Sequence, residues 1–179
     1  MAEMGRGSSD DSTPGTGEQL LSLSQIAMQL GIKSLLEVFA PVQSFVITEG
    51  PEGRGGKRPA DGPLEQQVAF GRWLLSQDTT SFRAAQVWDG YITMDGERTD
   101  AVFVAAHERG ARASTLTAQR YRLARTIRGK RPRLIGDPVP AGDYEPLLPD
   151  TTADNDTDPP QQPPPAAPWS DPSGFVPPQ

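Results

Sequence analysis

The chain has no cysteine and a single histidine, His107. Without a thiol there is no disulfide framework, no thiolate nucleophile, no thiolate zinc site and no cysteine-ligated iron–sulfur cluster. No stretch reaches the ~18 consecutive apolar residues of a membrane span, so no membrane partner is expected. The N-terminus lacks the basic start and apolar core of a secretory signal, which leaves a cytoplasmic location as the expectation. Ser–His–acid chemistry would have only His107 to draw on, and no Gly-x-Ser-x-Gly elbow is present. GRGGK at 53–57 lacks the spacing of a phosphate-binding loop, and Pro59 sits where that loop's helix would begin. Dinucleotide-binding glycine spacing is missing as well. No cofactor and no metal centre are therefore expected. Lysine is also scarce, three residues against fourteen arginines. With abundant Ala, Gly and Pro, this reads as GC-rich coding and a bacterial source.

What is present divides the chain in three. Residues 1–17 are rich in Gly, Ser, Thr and Asp, and residues 143–179 hold most of the nineteen prolines and no Lys or Arg. Neither composition buries enough apolar surface to offset chain entropy, so both are expected to be disordered, the second as an acidic, proline-rich tail. A single domain is expected over 18–142, a common domain size. The net charge of −6 hides an asymmetry: 18–142 holds sixteen basic and thirteen acidic residues, whereas 143–179 has seven acidic and no basic ones.

Within the domain, 83–123 reads as three strands and two turns. Val87, Trp88, Tyr91 and Ile92 are strand formers, and Asp95-Gly96 is the strongest local hairpin signal, because both central residues of a type I′ turn need positive φ. The run AVFVAA at 101–106 and a turn at 108–110 follow, then STLTAQRY at 114–121. Such a meander needs one covered face. The cover is expected from helices over 18–40, read as two helices broken at Gly31 with capping boxes at Ser22 and Ser34, and over 63–77 behind Pro63. A helix-turn-helix reading of the first pair is disfavoured, since Leu35, Leu36, Val38 and Phe39 occupy what would be the recognition helix. One more strand is expected at 42–48, a flexible loop at 50–62, a basic connection at 124–131 and a last short strand at 132–139. The expected fold is α+β: an antiparallel sheet of about four or five strands covered by helices.

Two features bear on function. Arg109, Arg112, Arg120, Arg122, Arg125, Arg128, Lys130, Arg131 and Arg133 form a basic run with no carboxylate among them. Such a run suits a phosphate backbone, an acidic protein or intramolecular pairs. The second feature is a set of carboxylates around the meander. Asp95 belongs to a turn, but Asp89-Gly90 is unexpected inside a strand and suggests a bulge. No catalytic residue is assigned; Asp89, Asp100 and His107 are the candidates should there be one. Trp73, at the rim of a broad apolar helix face, and the isolated Trp169 and Phe175 in the tail are candidate partner contacts. The leading expectation is a non-catalytic interaction or accessory module with an unidentified protein partner. Nucleic-acid or polyanion binding through 109–133 is the alternative, and a carboxylate-dependent enzyme is third.

Overall fold

A computed structural model describes residues 16–38, 41–59, 62–127 and 129–150. The terminal segments 1–15 and 151–179, with Trp169 and Phe175, lie outside the described residues. The meander forms as its residues require. Strands β3 (Arg83–Met94) and β4 (Glu97–Glu108) pair along their full lengths across the Asp95-Gly96 turn. Asp95 has φ 53° and Gly96 φ 79°, the positive pair that a type I′ turn demands. After a turn through Gly110, β5 (Ser114–Thr126) pairs with β4.

The sheet is larger than expected, with seven antiparallel strands. Strand β1 (Phe45–Gly50) pairs with β3, and β2 (Gly53–Lys57) pairs with β1 as the outer edge. The expected flexible loop at 50–62 therefore contains an edge strand. All five residues of β2 are exposed, so no alternation of apolar side chains marks it. The expected basic connection at 124–131 is a hairpin instead: β5 continues to Thr126 and turns directly into β6 (Gly129–Leu134). A seventh strand, β7 (Val139–Tyr144), pairs with the opening half of β5. Strands β6 and β7 thus lie end to end along β5, interrupted at 135–138.

Helices cover both faces. Helix α1 (Thr16–Val38) runs unbroken through Gly31 and begins well before Ser22, so neither expected capping box starts a helix. Gly31 serves contact, not termination. A Cβ there would lie 2.9 Å from one γ-methyl of Val87 and 2.9 Å from one of Val102. The glycine lets the helix backbone rest on the sheet, which offsets the ~1 kcal/mol it costs inside a helix. Leu23, Ala27, Met28 and Leu35 of α1 form one core with Val87, Val102, Val104 and Tyr121. On the other face α2 (Leu64–Ser76) packs Val68 and Leu75 against Val46, Trp88 and Phe103. Two buried glutamines fasten it. Gln67 Oε1 accepts from the Ser44 N–H at 3.0 Å, and Gln86 Nε2 donates to the Val68 carbonyl at 2.8 Å.

The domain boundary expected at 142 falls inside β7, and the packed chain continues past it. Leu147 and Leu148, each 3% exposed, belong to the α2-side core. The acidic, proline-rich composition from 143 onward masks these two apolar residues. Arg109 locks them down, donating to the carbonyls of Asp78 (2.8 Å), Ser81 (2.8 Å) and Pro149 (2.7 Å). No helix among the described residues is long and apolar enough to cross a membrane.

Candidate functional site

The basic run resolves into separate roles. Arg109 is spent on the three carbonyls just named. Arg112 is exposed in the turn before β5. Arg120 is half-buried on the α2 side of the sheet, its Nε without a hydrogen-bond partner among the described residues. Arg128 lies outside the described residues. The remaining cations share one structure. Strand β4 begins at Glu97, but its pairing with β5 ends at Asp100 opposite Tyr121. Beyond Tyr121, β5 pairs with β6 alone, so 122–133 is a two-stranded arm no longer bonded to β4. From Tyr121 to Thr126 it extends about 17 Å at the usual antiparallel rise.

Register sets the charge on this arm. Arg122 stands directly opposite Arg133, and Arg125 directly opposite Lys130. Residues 122 and 125 are three apart, so the two pairs point to opposite faces. All four side chains belong to exposed residues, as does Arg131, and Pro132 is the arm's one buried residue among those described. Arg122, Arg125, Lys130 and Arg133 form no ion pair among the described residues. Like charges directly across an antiparallel pair destabilise it by about 0.2–1 kcal/mol. Folding alone gives no return for placing two such pairs on one hairpin. An anion on each face reverses the sign.

The carboxylates assemble elsewhere. Asp89 and Asp100 lie on the α1 side of the sheet, and Asp100 sits between Tyr91 and Tyr121 across β3–β4–β5. Asp89 is completely buried. Its Oδ2 accepts from the Val42 N–H at 2.8 Å, and the Tyr121 hydroxyl donates to it at 2.9 Å. Burial pushes its carboxyl up to about 6; the bonds from Val42 and Tyr121 oppose that rise, and the neighbouring Asp100 adds to it. Burial also raises Asp100, against the pull of Arg98, whose guanidinium lies 4.1 Å from the centre of the Tyr91 ring. Tyr121 is pushed up by burial and by the Asp89 charge.

His107 is not part of this group. It lies on the opposite face of the sheet, near the far end of β4. Its Nδ1 accepts from the Leu148 N–H at 3.1 Å, and its Nε2 donates to the Ala111 carbonyl at 3.0 Å. Both ring nitrogens are taken, and the residue fastens the 147–148 segment. Of the three catalytic candidates the fold brings together two, Asp89 and Asp100, with no cation hydrogen-bonded to Asp89 among the described residues. No cluster of three or more metal-ligating side chains occurs among the described residues. Trp73 is half-buried on α2, its ring 5.4 Å from that of Phe70, remote in sequence and element from both groups.

Tyr121 and Val42 are the partners that sequence reasoning missed. Tyr121 was legible only as the residue facing away from Arg120 and Arg122; its pairing with Asp89 depends on a register spanning three strands. Neither a protein-family model, nor a curated protein, nor a solved structure matches this chain, so the arm and the Asp89 group are what its function can be read from.

Proposed function

We propose that this chain is a non-catalytic binding module that grips the phosphate backbone of a nucleic acid with the β5–β6 arm. One observation carries the reading: two like-charge cross-strand pairs, Arg122 with Arg133 and Arg125 with Lys130, on opposite faces of one ribbon. A two-stranded ribbon fits a groove of the duplex, and cations on both faces then reach the phosphates on either wall. The run 109–133 holds no carboxylate, and Arg122, Arg125, Lys130 and Arg133 form no ion pair among the described residues. The acidic total charge does not oppose the reading, because 18–142 holds more basic than acidic residues and the net negative charge lies outside it, while attraction to phosphate is set within a Debye length of the arm. A cytoplasmic location goes with this reading as an expectation.

Fluorescence anisotropy with a short labelled duplex tests it. Binding should weaken steeply as salt rises from about 50 to about 200 mM, and each arginine contact removed should lower the slope of log K against log salt by about 0.9. Arg122→Gln with Arg133→Gln should cut both the affinity and the slope. Binding to polyglutamate with none to nucleic acid would overturn the reading in favour of an acidic protein partner.

A further inference from the structure

At the end of the arm Thr126 stands opposite Gly129, and Ile127 follows Thr126 there. Tight hairpin loops favour Asn, Asp or Gly; of the other two-residue turns, Asp95-Gly96 between β3 and β4 follows this preference and Pro51-Glu52 between β1 and β2 does not. Here a β-branched apolar residue holds the tip instead, and Ile127 is 107% exposed, more than any other large apolar residue among those described. The tip is held in shape: the Thr126 hydroxyl donates to the Gly129 carbonyl at 2.7 Å. Leu123 and Leu134, 46% and 42% exposed, lie further back on the face of the arm that also carries Arg125 and Lys130. Neither core packing nor turn chemistry calls for Ile127, and its neighbours on the ribbon are cations.

We infer that Ile127 is a wedge: once the arm is seated on a duplex, this side chain enters between two stacked base pairs and kinks the helix. The inference rests on the nucleic-acid reading of the arm and narrows its ligand to double-stranded nucleic acid with a deformable step. Apolar wedges of this size, Ile among them, partly unstack a base step, while flanking cations hold the backbone on either side and so meet the cost of the distortion. Pyrimidine–purine steps unstack most easily, so a duplex with a central TA step is the preferred partner over one with uniform GC stacking. The arm is long enough for the task. About 17 Å of ribbon separates the tip from the last pairing with β4, with Arg125 and Lys130 next to the tip and Arg122 and Arg133 further back.

The test uses the full chain and a short duplex with a fluorescent adenine analogue at a central TA step. Anisotropy reports binding, and the analogue's emission reports unstacking. Saturating wild-type protein should raise the emission towards that of the single strand. Ile127→Ser should abolish the rise and leave the salt slope unchanged, because no charge is lost. Ile127→Phe should keep the rise. Binding without a rise in the wild type, or a rise that survives Ile127→Ser, would overturn the wedge and leave the arm's phosphate contacts standing. No duplex binding at low salt would remove both, and the fault would then lie with the arm. Anionic phosphatidylserine vesicles supply the remaining arm: vesicle binding lost on Ile127→Ser, with unstacking absent, would overturn the wedge in favour of a membrane-inserting tip.

Discussion

Replacing Asp89 with Asn should make the protein more stable at neutral pH and leave it unchanged in acid. Asp89 is fully buried, with the backbone N–H groups of Val42 and Gly90 and the Tyr121 phenol as its partners and no cation against it among the described residues. Its carboxyl rises from 3.8 to about 6, with burial as the first cause. A folded-state value above the unfolded one means that the folded protein holds this proton more tightly. The associated stability is therefore full below about pH 4 and is lost as pH climbs through about 6. At about 1.4 kcal/mol per pKa unit, the ionised carboxylate costs the fold roughly 3 kcal/mol at pH 7. An amide keeps an oxygen for the Val42 N–H and carries no charge to desolvate. Urea titrations of both proteins from about pH 4 to about pH 8 should show no difference at the acid end and a gain of about 2–3 kcal/mol at the other. For a fold of this size that is roughly 10 °C in Tm. A variant less stable than wild type at about pH 8 would refute the reasoning. So would a difference independent of pH, since either result would mean that the charge contributes to the fold.

Other expectations follow from the packing. Gly31→Ala should destabilise by about 1–3 kcal/mol, because its Cβ must displace two buried valine methyls; thermal denaturation would show it, against the gain expected if the site were an ordinary helix position. Gly96→Val should cost more than ~1 kcal/mol, as a β-branched side chain resists the positive φ, and an unchanged midpoint would reject the two-residue turn. Ending the chain at residue 142 should cost roughly 3–6 kcal/mol through loss of Leu147 and Leu148 from the core, which calorimetry would register. Arg109→Gln should loosen the same segment by about 1.5–3 kcal/mol, with faster amide exchange at Leu148 as its local signature.

The sequence announces some of this fold and hides the rest for identifiable reasons. Asp95-Gly96 and AVFVAA declare the meander because turn chemistry and apolar runs are local. Strand β2 declares nothing, since GRGGK lies at an edge and buries no side chain. Gly31 misleads because a glycine that permits close packing looks, in sequence, like one that ends a helix. The Asp89-Gly90 oddity was visible, but as a suggested bulge; β3 and β4 pair through it without a break. The arm was legible as charge and not as shape. Its pairs depend on β5 turning straight into β6 between Thr126 and Gly129, where the sequence offers no Asn-Gly or Asp-Gly signal.

The two borders of the sheet bear on self-association. Along one, Pro132 and Pro140 sit within β6 and β7 and Pro138 between them, and a strand without those N–H groups is a poor template for another strand. Along the other, β2 is fully exposed and three glycines leave its backbone bare, but Arg54 and Lys57 stand on it. A second copy of β2 would bring cation against cation. Both borders thus discourage edge-to-edge stacking of identical molecules, and the chain should remain dispersed at concentrations where an unguarded seven-stranded sheet would polymerise.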